Sequence, residues 1–116
     1  MTNSFAYSLP GMTTTPESIV TVVADVYQVP FEIIYTKTAK RNIAEARGLS
    51  FFLIREILKL SLVKTGLPFN TDYSTVSYWA KNIIKLTKFD KCTREKFIQA
   101  CHNLNIPSMQ INEYLK

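Results

Sequence analysis

From Ala39 to Ser61 the apolar residues Ile43, Ala46, Leu49, Leu53, Ile57 and Leu60 recur at three- and four-residue steps, and Phe51, Phe52, Ile54 and Leu58 widen the stripe. A helix of 3.6 residues per turn places such a period on one face. One neighbour cannot bury a stripe this broad, so the spacing predicts a central helix covered on several sides. Gly48 inside it costs about 1 kcal/mol relative to alanine, which close approach of a neighbouring element would explain. A chain of 116 residues has room for one such core and not for a two-domain enzyme.

The remaining segments supply helices to cover it. Thr15 suits an N-cap, Pro16 the first helical position and Glu17 the positive helix end, with Ile19, Val22, Val23, Val26 and Tyr27 on one face. PFEII reads as a short helical turn, followed by the polar loop YTKT. A short helix around Leu62 to Gly66, a turn carrying Pro68, Asn70 and Thr71, and a helix capped by Asp72 form a helix-turn-helix candidate. In that last helix Val76, Trp79, Ala80, Ile83 and Ile84 face inward, while Ser74, Tyr78, Lys81 and Lys85 line up outward. Thr93 is the expected cap of a helix bearing Phe97, Ile98, Cys101 and Leu104, and NIPSMQINEYLK gives one more short helix. The expectation is an all-α helical bundle of about six helices. Its parts are a loose arm over 1–14, a helix-turn-helix domain over 15–88 and a C-terminal helical extension over 89–116 packed on that domain.

Chemistry-bearing motifs are sparse. Cys92 and Cys101 form no CxxC pair, which fits structural thiols rather than a disulfide framework or a zinc site. His102 has no partner at a recognisable spacing, and neither GxxxxGK[ST] nor GxGxxG occurs. Neither an enzyme, nor a cofactor, nor a small-molecule substrate is expected. The apolar runs are too short or too charged to span a bilayer, and the first residues do not resemble a signal peptide, so a cytoplasmic protein without membrane association is expected. Charge is segregated: residues 1–35 carry three acids and no base, residues 36–64 seven bases against two acids, and residues 65–116 seven bases against four acids. Positive charge beginning abruptly at Lys37 is the footprint of a surface that meets phosphate, though solvated basic helix faces also look this way.

The order of these features resembles the C-terminal DNA-binding domain of the bacterial replication initiator DnaA. The resemblance runs from Ile19 to Ile84, through IVTVVADVYQVPFEII, KTAKRNIAEARGLSFFLIREIL and LVKTGLPFNTDYSTVSYWAKNI. Its most specific part is DYSTV followed by Lys81 and Ile83, where the family has an Asp-His-Ser/Thr-Thr-Val run followed by a basic and an aliphatic residue. The resemblance implies a DnaA C-terminal or Trp-repressor-like helix-turn-helix with extra C-terminal helices. It also implies double-stranded DNA as partner, at sites like the DnaA box, with replication proteins as further partners, and a nucleoid association. The family's nucleotide-binding domain has no counterpart in these residues, so the expected role is a stand-alone replication or regulatory factor lacking the ATPase domain. The alternative is a protein-interaction module that keeps the fold without sequence-specific DNA binding.

Carried over position by position, Arg41 is the arginine for the minor groove, and Arg47 and Lys37 bind phosphate or adjacent base edges. Asp72 accepts from a cytosine amino group and Thr75 meets a thymine methyl or a base edge, while Ser74, Tyr78, Lys81 and Lys64 hold phosphates. The chain departs from the family at Tyr73, where the family has histidine, and in a shorter turn with Asn70 and Thr71. Tyr73 either meets the DNA edge or folds inward to close that turn. Trp79 replaces a small residue, and the expectation is that the added helices around Phe97, Ile98, Ile106 and Tyr114 cover its indole.

Overall fold

The computed structural model describes residues 14–116, so the arm expected over 1–14 lies, apart from Thr14, outside the described residues. Six α-helices follow in order: α1 (Pro16–Tyr27), α2 (Arg41–Leu58), α3 (Leu62–Gly66), α4 (Tyr73–Phe89), α5 (Lys91–Asn103) and α6 (Ser108–Tyr114). Two 3-10 turns, Phe31–Tyr35 and Leu67–Phe69, complete the chain, and no strand occurs among the described residues. The fold is all-α, as the periodicity predicts.

Local chemistry explains most of the boundaries. The hydroxyl of Thr15 accepts from the Ser18 amide at 3.1 Å and the Ser18 hydroxyl accepts from the Thr15 amide at 3.0 Å, a reciprocal cap that starts α1 together with Pro16. The central helix stops at Leu58, three residues short of the expected end, because Lys59 turns into the left-handed region at φ 57°. The reason lies just beyond: Ser61 accepts from the Lys64 amide at 3.1 Å, and an N-cap needs an extended backbone that a continuing helix denies it. The expected cap at Thr93 is also corrected. Asp90 ends α4 and begins α5, its Oδ1 accepting from the amides of Cys92 at 2.9 Å and Thr93 at 3.2 Å, while Thr93 itself is buried. Aspartate is the better cap, and it stands directly after the last residue of α4.

The core is continuous from α1 to α6. Ile19, Val20 and Val23 of α1, Leu49, Phe51, Leu53 and Ile54 of α2, Val76 and Ile83 of α4 and Phe97 of α5 are fully enclosed. Each such side chain stabilises the fold by about 1.5–3 kcal/mol relative to exposure. Helix α2 lies at the centre and packs against α1, α3 and α4. The C-terminal helices close another side of it: the ring of Phe52 lies 5.5 Å from that of Phe97 and 5.1 Å from that of Tyr114. They therefore cover Phe52, and the contact shown by the indole of Trp79 is a different one. That indole packs on α2 at Gly48, where a β-carbon would stand 3.2 Å from its Cε3. The glycine inside the long helix thus has its explanation in the bulk of a tryptophan on the next layer.

Candidate nucleic-acid interface

Helix α3, the short turn and α4 form the helix-turn-helix, and the turn is closed by backbone. Gly66 accepts from the Thr71 amide at 3.1 Å, and Asn70 occupies the left-handed region at φ 52°, which asparagine tolerates better than most residues. A β-carbon at Gly66 would fall 2.3 Å from the Thr71 carbonyl oxygen, so only glycine fits so tight a closure. Tyr73 takes no part in it: 60% of its surface is exposed, which overturns the inward-folding alternative. Asp72 caps α4 by accepting from the Thr75 amide at 2.9 Å, and the Ser74 hydroxyl donates to the same Oδ1 at 3.3 Å. Hydrogen bonds from the Thr75 side chain and amide hold the Asp72 carboxyl below its ordinary pKa.

The two faces of α4 separate as the spacing predicts. Val76 and Ile83 are buried and Trp79, Ala80 and Ile84 half-buried, while Ser74, Thr75, Tyr78, Lys81 and Lys85 are exposed. Its 17 residues include three lysines and no acid, and the helix extends about 25 Å. Exposed aromatic and cationic side chains along one uninterrupted helix face can meet a polyanion without burying an unpaired charge.

The basic loop before α2 is fastened to this unit. Lys37 donates from Nζ to the Asn70 carbonyl at 2.6 Å, tying the loop to the turn. Arg47, expected on phosphate or base edges, is directed inward at the loop: Nε donates to the Ile34 carbonyl at 3.0 Å, and Nη2 to those of Thr36 at 2.5 Å and Thr38 at 3.2 Å. Partial burial lowers its pKa. Three of its N–H groups are thereby used within the chain, because a loop crossing the surface of α2 has carbonyls that no helix satisfies. Lys37, Arg47, Asp72, Thr75 and Trp79 consequently line one cleft between the loop and the start of α4.

Arg41 does not line this cleft but an adjoining cavity, which it shares with Lys37, Arg47 and Trp79. Its side chain is 72% exposed, but its Nη2 is hydrogen-bonded to Asp90 Oδ2 and its Nε stands 3.7 Å from Glu45 Oε1. Glu45 is buried and accepts from the Tyr27 hydroxyl at 2.7 Å. Lys64 is exposed on α3 and does not line the cleft. The sequence reading missed Asp90 and the carbonyl of Asn70. A capping signal at Asp90 was readable beside Lys91 and Cys92, but its partner Arg41 is 49 residues away.

A family model described as the bacterial dnaA protein helix-turn-helix matches residues 16–83, from the first residue of α1 to the buried Ile83 of α4. The chain belongs to the DnaA helix-turn-helix family. Membership in this DnaA family implies DNA binding, the coarse function that the exposed face of α4 suits. Chromosomal replication initiator proteins DnaA are among its relatives. That of Synechocystis sp. is 33% identical over 92 residues, covering 78% of this chain and 21% of the relative. That of Crocosphaera subtropica is 31% identical over 102 residues, covering 87% of this chain and 22% of the relative. Chromosomal replication initiator protein DnaA 2 of Protochlamydia amoebophila is 38% identical over 76 residues, covering 66% of this chain and 17% of the relative. The chain thus aligns with about a fifth of the length of these DnaA proteins. Among the described residues, no helix is long and apolar enough to cross a membrane.

Proposed function

We propose that this DnaA-type domain binds double-stranded DNA by laying the first two turns of α4 in the major groove, at sites like the DnaA box. The observation that carries this reading is the exposure of Tyr73, Ser74, Thr75, Tyr78 and Lys81 together, on a helix whose other face is anchored by Val76 and Ile83. Asp72, Tyr73 and Thr75 stand where base edges would be read, and Ser74, Tyr78, Lys81 and Lys64 where phosphates would set register. Lys37 presents the basic loop to the same duplex, Arg47 holds that loop in shape, and Arg41 reaches the neighbouring minor groove. The domain would act within the cytoplasm on nucleoid DNA, in replication or its regulation, as a segment that itself carries no phosphate-binding loop.

Selection of bound duplexes from a random pool, followed by salt titration of the enriched sequence, tests this. The expected result is an enriched motif and a log–log salt dependence falling by about 0.9 per neutralised phosphate. No enrichment together with a flat salt response would sink the DNA reading in favour of a protein-interaction role.

A further inference from the structure

The structure binds the arginine read as the minor-groove contact to Asp90, at the C-terminal end of the recognition helix. Asp90, which holds it, terminates α4, whereas Asp72 begins it, and the two ends are about 25 Å apart. Both carboxylates around Arg41 are fixed by other bonds. Asp90 Oδ1 is committed to the Cys92 and Thr93 amides at the start of α5, leaving Oδ2 for the guanidinium. Glu45 is buried and bound by the Tyr27 hydroxyl, and the Tyr27 ring in turn has Lys96 Nζ 5.0 Å from its centroid. The arginine is the one long, flexible and mostly exposed member of this group. It is therefore the member that moves.

We infer that Asp90 is a positioning residue that competes with DNA for Arg41, parking the guanidinium between two fixed carboxylates until a duplex replaces them. The inference rests on the reading of Arg41 as a DNA contact. Its physical basis is that one guanidinium cannot keep a carboxylate on Nη2 and at the same time extend into a groove walled by phosphates. The ion pair must open for the contact to form, so its strength is subtracted from the affinity of the domain. Asp90 lies beyond the segment that the family model matches, residues 16–83, whereas Glu45 and Tyr27 lie within it, so the parking site joins the end of α4 and the start of α5 to the DNA-reading unit.

Asp90→Asn isolates the effect, because asparagine caps a helix as well as aspartate while losing the charge. Binding of the duplex enriched in the selection, or of a mixed-sequence duplex at low salt, is measured for the parent, Asp90→Asn, Arg41→Ala and the double variant. Asp90→Asn is expected to tighten binding about 1.5- to 5-fold, the range an exposed ion pair supports, and the gain is expected to vanish in the Arg41→Ala background. An equal gain in both backgrounds overturns the proposal, since it would show only relief of repulsion between Asp90 and DNA. No gain in either background overturns it as well. The two failures are distinguishable: Arg41→Ala binding at parental strength removes the minor-groove role itself, whereas weakened Arg41→Ala with a neutral Asp90→Asn removes only the parking site. Thermal melting checks that Asp90→Asn keeps the fold, and Asp90→Ser, which also caps, repeats the measurement if it does not.

Discussion

Trp79 and Gly48 meet across the α2–α4 interface so closely that a β-carbon on Gly48 would stand 3.2 Å from the indole Cε3 and 3.3 Å from the Trp79 carbonyl oxygen. Alanine for glycine within a helix normally gains about 0.5–1 kcal/mol. Here the added methyl presses on the backbone of α4, which cannot yield without shifting Val76 and Ile83 in the core, and overpacking costs about 1–3 kcal/mol. Gly48→Ala is expected to lower the unfolding free energy in urea by about 1 kcal/mol, the overpacking cost outweighing the helix gain. In a Trp79→Ala background the indole contact is gone while the carbonyl contact stays, so the penalty should shrink; an unchanged penalty there would assign it to the Trp79 carbonyl.

Gly66→Ala should be worse, because the atom it meets is the Thr71 carbonyl oxygen at 2.3 Å, fixed by the closure of the turn. The turn must open, so the expected loss is about 3 kcal/mol, at the upper end for overpacked sites. DNA affinity should fall with it, because the turn sets the angle of α4. A variant that melts like the parent would show that the turn tolerates a second conformation.

Tyr27 donates to a buried carboxylate, so Tyr27→Phe leaves Glu45 with its bulk solvent excluded and a donor missing. Removing one partner of a buried bond costs about 1–3 kcal/mol, more when the other is charged. Equilibrium unfolding in urea measures it. Burial first, then the bond to Glu45, raises the Tyr27 pKa far above its usual value, so the neutral phenol is the folded form. Its stabilisation is complete below about pH 10, the unfolded value, and is lost as pH rises beyond that.

Cys101 gives a second alkaline limb. Burial pushes its thiol from 9.0 up to about 12, so stability should fall as pH rises through that interval, where the unfolded chain ionises and the folded chain does not. Cys101→Ala should make the unfolding free energy fall less steeply between these values, leaving the share that Tyr27 contributes above about pH 10. Thiol reagents should modify exposed Cys92 quickly in the native protein and Cys101 only on unfolding. Two thiols reacting at equal rates would contradict the buried placement.

On DNA, phosphate and base contacts separate by their sequence dependence. Lys81→Ala should weaken all duplexes alike and reduce the salt slope by about 1, whereas Thr75→Ala should also erode preference at one position by about 1–3 kcal/mol. Binding competitions between the selected duplex and single-base variants measure both. Lys81→Ala that discriminates among sequences, or Thr75→Ala that does not, reverses the roles assigned to the two residues.

The helices and the outward face of α4 were legible because they depend on residues a turn apart. Thr15 caps α1 through Ser18, and Asp72 caps α4 through Thr75, within three residues in each case. The resemblance to DnaA was readable for the same reason, since DYSTV and its flanking residues are contiguous. The end of α2 was misplaced because apolar periodicity continues through Leu60 although the backbone has already turned at Lys59. The cap of α5 was misplaced because threonine and aspartate three residues apart both carry the signal, and only the end of α4 chooses between them. Arg47 was legible as a cation but not as a brace, because its acceptors at Ile34, Thr36 and Thr38 are carbonyls, which every residue has.

The sequence by itself determined an all-α chain, the starts of α1 and α4 and the cationic and aromatic stripe of α4 through periodicity and short-range chemistry, and its resemblance to a DNA-binding family through a contiguous motif. Only the tertiary structure decided which cations face outward and which are engaged: Lys37 on the turn, Arg47 on its own loop, Arg41 on Asp90. It also decided that Trp79 rests on Gly48 while Phe97 and Tyr114 close over Phe52. The physical reason is range. A side chain's charge and size are written at its own position, but the partner that uses them is brought there by the packing of helices distant in the chain.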